Sequence, residues 1–144
     1  MKASNVALLD VNLLIALAWP THSSHERALR WFERRAGQAW ATCPLTQLAF
    51  VRILSNPAFS PDALTLTEAI HILNASVGDP THQFWADDLA PVEVLLAPPL
   101  RLQGHQQLTD AYLLSLARRQ KGKLATLDKA VASLAPDRES IELV

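Results

Sequence analysis

A carboxylate interrupts the first strongly apolar stretch of the chain. The segment VALLDVNLLIAL, residues 6–17, is apolar except for Asp10 and Asn12. An unpaired carboxylate buried among apolar groups costs so much free energy that it takes up a proton or is compensated by a partner. Asp10 therefore requires the end of a strand, a hydrogen-bonding partner or a cation, and this requirement limits the folds that are open to the chain.

Extended and helical patterns alternate along the chain with short breaks, and no repeat or low-complexity segment occurs. Such alternation is typical of an α/β domain. Short strands are predicted at residues 6–9, 39–42, 92–96, 124–125 and 141–144, the last of them at an edge. Helices are predicted at residues 13–18, 25–36, 45–54, 67–75, 108–120 and 129–132, and loops at residues 78–91 and 98–107.

Composition limits the class of protein. The 144 residues are 49% apolar and 19% charged, which is typical of a globular chain, and residues 1–144 are predicted to form a single domain. The net charge of -1 does not indicate a nucleic-acid partner, so RNA binding would need a local basic patch. Cys43 cannot form an internal disulfide, which suits a reducing cytosol. No apolar run approaches the roughly 18 to 20 residues that span a membrane, and Asp10 disrupts a signal-peptide pattern, so we expect a cytoplasmic protein without membrane contact.

Three aspartates fall where predicted strands and helices meet. Asp10 ends the first strand, Asp110 opens the helix at 108–120, and Asp128 follows the strand around 124–126. In an open parallel sheet, ligands bind beyond the carboxyl ends of the strands, where the strand order reverses. Taken singly, Asp110 and Asp128 are better explained as residues that favour a helix N-terminus. Asp10 has few such roles, and the joint arrangement therefore predicts a site where the three acids converge.

Four segments that together span nearly the whole chain carry a family resemblance. They are LLDVNLLIALAWP near the start, TQLAFVRILSNP in the middle, and LTDAYLLSLA and LATLDKAV towards the end. In this order and spacing they resemble PIN-domain proteins, specifically the VapC-like toxin ribonucleases of bacterial toxin-antitoxin pairs. The resemblance implies a three-layer α/β/α fold with a central parallel sheet, an acidic pocket that holds Mg²⁺ or Mn²⁺ for RNA hydrolysis, a homodimer and a cognate antitoxin. It also implies that Asp10, Asp110 and Asp128 are the catalytic residues and metal ligands.

These residue types suit that chemistry. Clustered carboxylates take up protons unless a cation neutralises them, and Mg²⁺ prefers hard oxygen ligands. A metal-bound water can attack a phosphodiester in line while the metal stabilises the departing oxygen. Asn12 and Thr126 stand beside the acids in the sequence. They are expected either to orient a carboxylate or a water or, equally, to form local turn hydrogen bonds.

The chain departs from the family pattern in the middle helix, where the resemblance implies a glutamate and the sequence has Gln47. An amide still offers a carbonyl oxygen but removes one negative charge, so we expect Gln47 to face the acids and Gln47→Glu to tighten Mg²⁺ binding. Asp87, Asp88 or Glu93 are candidates to compensate, although a solvated loop is the simpler account of the first two. The departure keeps a second function open, namely a catalytically weak PIN-fold module that binds RNA or protein without cutting it.

Two basic groups are candidate contact surfaces. In the helix at 25–36, Arg27, Arg30 and Arg34 lie opposite the apolar face, with Trp31 and Arg35 beside them. Trp and Arg are favoured interface residues, so we expect this face to contact the antitoxin, unless Trp31 folds back onto the chain and the arginines are simply solvated. The second group comprises Arg118, Arg119, Lys121 and Lys123. It is predicted to lie near the active end and to hold RNA phosphates.

Other sites fit the sequence less well. His22, His25 and Glu26 lack the H-E-x-x-H order that places two zinc ligands on one helical face, and a helix start explains them better. With four glycines in the chain, no glycine-rich phosphate loop occurs. A dehalogenase-type phosphatase would need an aspartate in place of Asn12, and a receiver domain would need an acidic pair further upstream.

Overall fold

Five short strands form one parallel sheet at the centre of the structure, a computed structural model that describes residues 5–97, 102, 104–134 and 139–144. The strands are β1 (Ala7–Leu9), β2 (Trp40–Thr42), β3 (His82–Phe84), β4 (Lys123–Thr126) and β5 (Ile141–Leu143). They lie in the order β3-β2-β1-β4-β5, and each neighbouring pair is parallel.

Helices connect the strands, and most of them lie where the sequence pattern predicts. The described residues form α1 (Val11–Ala18), α2 (His25–Arg34), α3 (Pro44–Leu54), α4 (Leu66–Val77), α5 (Pro91–Leu96), α6 (Leu108–Arg119) and α7 (Lys129–Ala132). Local signals begin several of them. Pro44 and Pro91 occupy first positions, where a missing N–H costs nothing. Thr65 and Glu68 form reciprocal hydrogen bonds at the start of α4.

Two predicted elements are wrong. Residues 92–96 form α5 instead of a strand, because Pro91 starts a helix and the run VEVLL is too short for its period to distinguish strand from helix. Residues 82–84 form β3 inside the predicted loop 78–91, although His82 is only half-buried and Gln83 and Phe84 are exposed. In the predicted loop 98–107, residues 98–101 and 103 lie outside the described residues, and His105–Gln107 forms a short 3-10 helix.

Alternate side chains of the sheet pack against two separate helical layers. Ala7 and Leu9 belong to a core shared with α1 to α4, whereas Leu8 belongs to a core shared with α5, α6 and α7. This alternation follows from the two-residue period of a strand. The predicted three-layer α/β/α arrangement with a central parallel sheet is confirmed.

The strand order reverses next to β1. From β1 the chain builds β2 and then β3 on one side, and it then crosses through α5 and α6 to place β4 on the other side of β1. The carboxyl ends of β1 and β4 therefore flank the switch point at which open α/β sheets bind ligands. Within the described ranges, no helix is long and apolar enough to cross a membrane.

Candidate active site

The Asp10 carboxylate is buried at the carboxyl end of β1, with 4% of the residue exposed. Its Oδ1 accepts a hydrogen bond from the backbone N of Val11 at 2.8 Å, so Asp10 also caps α1. Its Oδ2 accepts from the Thr126 hydroxyl at 2.8 Å. Burial raises the pKa of Asp10 in spite of these two hydrogen bonds, and the charge of Asp128 raises it further. The donors thus compensate the buried charge only in part.

Asn12 and Thr126 join the ends of β1 and β4. The Asn12 Nδ2 lies 3.4 Å from Oδ2 of Asp10 and 3.3 Å from Oγ1 of Thr126. The Asn12 Oδ1 accepts from the backbone N of Leu127 at 3.2 Å, and Oγ1 of Thr126 accepts from the backbone N of Asp128 at 3.1 Å. Both expected kinds of contact are therefore present, because these side chains orient the Asp10 carboxylate and also make local turn hydrogen bonds.

Asp110 and Asp128 lie close to Asp10 at this end of the sheet. Asp110 is half-buried in the first turn of α6. Asp128 is exposed and caps α7, with Oδ1 accepting from the backbone N of Ala130 at 2.8 Å. Burial raises the pKa of Asp110 to about 6, and the charges of Asp10 and Asp128 add to the effect. The structure thus brings the three predicted acids near enough to repel one another.

The chemistry of these acids fits a hard divalent cation. No three His, Cys, Asp or Glu side chains of the described residues are already arranged to hold a metal ion. Asp10, Asp110 and Asp128 nevertheless supply only carboxylate oxygens, which Mg²⁺ and Mn²⁺ prefer. The raised pKa values and the mutual repulsion are costs that a cation would remove. The donor set therefore suits the implied metal.

Gln47 lies in the first turn of α3, but its amide is directed to another partner. Its Nε2 donates to Oγ1 of Thr42 at 2.9 Å, and within the described residues it has no hydrogen bond to any of the three acids. Side chains alternate along a strand, and Thr42 shares its face of β2 with Trp40, which packs on the α1 to α4 side. The structure gives Gln47 a hydrogen bond to Thr42, and the expectation that Gln47 faces the acids stays a prediction.

The acids suggested as substitutes for a glutamate lie elsewhere. Asp87 is exposed beside Cys43, whose pKa is raised by burial and further by Asp87. Asp88 pairs with Arg119 at 3.3 Å, and Glu93 is exposed in the first turn of α5. None of them is among the charges that raise the pKa of Asp110. The acidic group therefore consists of three carboxylates among the residues described.

Comparison with known families identifies the fold that carries these acids. A family model described as PIN domain matches residues 7–135. The chain belongs to the PIN-domain family. The matched range contains Asp10, Asp110 and Asp128, and the resemblance drawn from the sequence motifs is confirmed.

Curated relatives and solved structures agree with this assignment. Two relatives of this PIN domain come from Mycobacterium tuberculosis: Ribonuclease VapC38, 45% identical over 133 residues and 92% of each chain, and Ribonuclease VapC39, 40% identical over 129 residues, which are 90% of this chain and 93% of the relative. The crystal structure of Mycobacterium tuberculosis VapC20, a sarcin-ricin loop cleaving toxin, has a TM-score of 0.63 at 13% identity and covers 91% of this chain and 98% of its own. VapBC2 from Rickettsia felis, bound to a promoter DNA fragment, has a TM-score of 0.60 at 11% identity, with 96% and 98% covered. The solved structures share the fold, and the curated relatives place this PIN domain among VapC-like proteins.

The second basic group lies at the wrong end of the PIN domain for the predicted role. Arg119 follows Asp110 by nine residues of α6, which is about 14 Å along an α-helix. Arg118 donates to Ser140 at 3.2 Å, Arg119 pairs with Asp88, and Lys123 pairs with Glu142. The predicted position near the acids is wrong, because α6 runs away from the site. Lys123 begins β4 and so lies at the amino ends of the strands, opposite the carboxyl ends where the acids lie.

Trp31 folds back onto the chain, which is the alternative that the sequence left open to an exposed contact residue. The residue is 3% exposed, its Nε1 donates to Oε2 of Glu142 at 2.6 Å, and the Arg35 guanidinium lies 5.2 Å from its ring centre. Although burial acts to raise it, the ion pair with Lys123 and the hydrogen bond from Trp31 hold the pKa of Glu142 below its ordinary value. Trp31 therefore joins α2 to β5 and is not an exposed contact residue. Its exposed neighbours are Arg27, Arg30 and Arg34.

Replacing Trp31 with Phe should lower the free energy of unfolding by about 2 kcal/mol. An aromatic ring remains, but the half-buried Glu142 carboxylate loses a donor, and a hydrogen bond to a charged group contributes roughly 1.5 to 3 kcal/mol. Urea denaturation measures the change. Trp19→Phe is the matched control, because half-buried Trp19 packs edge-on against Phe59 at 5.7 Å and has no such hydrogen bond among the described residues. Equal losses in the two variants would show that the contact with Glu142 does not stabilise the fold.

Proposed function

We propose that this PIN domain is the ribonuclease toxin of a toxin-antitoxin pair, and that it hydrolyses RNA phosphodiester bonds at an acidic site holding Mg²⁺ or Mn²⁺. The observation that carries the proposal is the convergence of three acids at the carboxyl end of the sheet, where burial raises the pKa of Asp110 and the charges of Asp10 and Asp128 raise it further. Clustered carboxylates at the switch point of a parallel sheet suit a divalent cation. Curated relatives named ribonuclease support RNA as the substrate.

The described residues have separate proposed roles at this site. Asp10, Asp110 and Asp128 would hold the ion, which supplies Lewis-acid stabilisation of the phosphate and a water of lowered pKa. The backbone N of Val11 and the Thr126 hydroxyl hold the two oxygens of Asp10 in place. No described residue donates a hydrogen bond to Asp110, and burial and the neighbouring acids raise its pKa to about 6 in the metal-free protein, a cost that a bound ion would remove.

The proposed partners are an RNA substrate, a cognate antitoxin and a second copy of the chain. The VapC naming of the curated relatives supports an antitoxin. Arg27, Arg30 and Arg34 are exposed along α2, and we assign this basic face to the antitoxin because arginine is favoured at protein interfaces. Light scattering on the purified chain tests the homodimer.

Purified protein should cut RNA in Mg²⁺ or Mn²⁺, stop when a chelator is added, and resume when excess ion is restored. Mapping of the new RNA ends measures the cleavage. Cleavage that persists in chelator would contradict the metal site. Binding of RNA in a filter assay without cleavage in either ion would instead favour the binding module that Gln47 keeps open.

A further inference from the structure

A chain of hydrogen bonds outside the acidic group links α3, β2 and β3. Oγ1 of Thr42 accepts from Nε2 of Gln47 at 2.9 Å and lies 2.7 Å from Nε2 of His82. Thr42 is fully buried, and Gln47 and His82 are half-buried. The His82 ring packs against Trp40 with centroids 4.7 Å apart. The sequence prediction singled out neither Thr42 nor His82, although Thr42 ends a predicted strand as Asp10 nearly does. His82 lay in the strand that was missed.

The hydrogen bond from Gln47 determines where the protons of these side chains lie. Nε2 of Gln47 donates to the Thr42 oxygen, and the Thr42 hydroxyl lies 2.7 Å from Nε2 of His82. Among the described residues this hydroxyl has no other side-chain acceptor. A neutral imidazole with its proton on Nδ1 has an acceptor at Nε2, so in this arrangement Thr42 donates to His82.

We propose that His82 is a positioning residue that acts through Thr42 to fix the Gln47 amide, with Nε2 held inward and the carbonyl oxygen Oε1 as the end left to accept hydrogen bonds. No described residue donates to that oxygen. Gln47 lies in the first turn of α3, which directly follows β2, the strand that pairs with β1. A hydroxyl or water of a bound RNA would meet an acceptor here, a consequence that rests on the proposed function.

Protonation of His82 reverses the direction of the hydrogen bonds that link it through Thr42 to Gln47. Both ring nitrogens then donate, so Thr42 accepts from His82. The Thr42 proton is then free to turn to Gln47, whose amide rotates to present Oε1. Burial lowers the pKa of His82, while the Asp79 carboxylate and the Val77 carbonyl raise it. The groups around the ring are Trp40 and Thr42 of β2, Gln47 of α3 through Thr42, the Val77 carbonyl of α4, and Asp79 in the turn before β3. The charged one among them is Asp79.

Side-chain NMR on the metal-free protein tests the coupling. In the wild type, the Gln47 NH₂ signals should move with the same midpoint as the His82 imidazole, and those of exposed Asn74 should not. Gln47→Glu should raise the pKa of His82 by about 1, because a carboxylate takes the Thr42 proton and leaves the Thr42 oxygen to the charged ring. Gln83→Glu is the matched charge control. It adjoins His82 but points to the other face of β3, and it should change that pKa by less than about 0.3.

Thr42→Val separates the hydrogen-bond chain from a through-space charge effect. In that background the effect of Gln47→Glu on His82 should fall to less than half, and Thr42→Ser, which keeps the hydroxyl, should retain the full effect. An unchanged effect in Thr42→Val overturns the proposal. So does a wild-type Gln47 amide that ignores the His82 titration, a result that needs no variant to fold.

The rate of RNA cleavage provides an independent test. If the wild type cuts RNA, Thr42→Val should lower kcat several-fold while Thr42→Ser keeps it near wild type, and equal kcat values for all three would overturn the role of Gln47 in catalysis. If the wild type cuts no RNA, the proposed function fails, and the NMR result still decides whether His82 positions Gln47.

Discussion

Asp10→Asn should reduce metal-dependent RNA cleavage by at least about 1000-fold, equivalent to about 4 kcal/mol of transition-state stabilisation, without unfolding the protein. Asparagine keeps the shape of the side chain and remains a good helix N-cap, so α1 keeps its start. The substitution removes the negative charge that a cation at this site would bind. Single-turnover cleavage at saturating Mg²⁺, with circular dichroism on the same samples, measures both effects.

Stability separates a lost charge from a damaged fold in this variant. Burial raises the pKa of Asp10, so the ionised carboxylate costs free energy in the metal-free protein, and Asp10→Asn should be at least as stable as the wild type in chelator. Asp62→Asn is the control, because Asp62 is an exposed loop residue, and it should leave both cleavage and stability unchanged. Retained cleavage in Asp10→Asn would remove Asp10 from the site.

Some of the site could be predicted because central strands have a strong sequence signal. The central strands β1 and β4 lie between the two helical layers. β1 therefore reads as a continuous apolar run, and β4 has an apolar centre at Leu124 and Ala125. Asp10 follows β1 directly, and Asp128 follows β4 by two residues. Parallel strands end at the same edge, and this geometry brings the two acids together from distant parts of the chain. Asp110 could be added to the predicted site because α6, the helix that leads into β4, must begin at the carboxyl ends of the strands.

Other features depend on contacts that a local pattern does not contain. β3 is a three-residue edge strand, and it forms because its backbone pairs with β2, from Trp40↔His82 to Thr42↔Phe84. Trp31 lies on the basic side of an isolated helix, but α2 also packs against the sheet, where Glu142 of β5 accepts its N–H. The hydrogen bond from Gln47 to Thr42 could not be predicted either, although Thr42 ends a predicted strand, because it depends on how α3 packs after β2. The contact of Thr42 with His82 required β3, which the sequence pattern missed.

In metal-free protein, Asp110→Asn should raise the free energy of unfolding at neutral pH by roughly 1 to 2 kcal/mol. The folded pKa of Asp110 is about 6, against about 4 for an unfolded aspartate. Between about pH 4 and pH 6 the unfolded state loses its proton while the folded state keeps it, so stability from this group is greatest below about pH 4 and falls as the pH rises through 6. The full difference corresponds to about 3 kcal/mol, and solvent screening at a half-buried carboxylate reduces it.

Saturating Mg²⁺ should reverse the order of stability of the wild type and Asp110→Asn. An ion bound by the three carboxylates stabilises only the folded state, by about 2.7 kcal/mol at 100 times its Kd, and it removes the repulsion that Asp110 experiences. Asp110→Asn should therefore be more stable than the wild type in chelator and less stable than the wild type in saturating Mg²⁺, as urea denaturation at several pH values measures. Subtracting the two proteins cancels other titrating groups such as His82, whose lowered pKa acts in the opposite direction. If Mg²⁺ stabilises both proteins equally, Asp110 does not hold the ion. If the variant is no more stable than the wild type in chelator, the carboxylates do not repel one another strongly enough to require a cation.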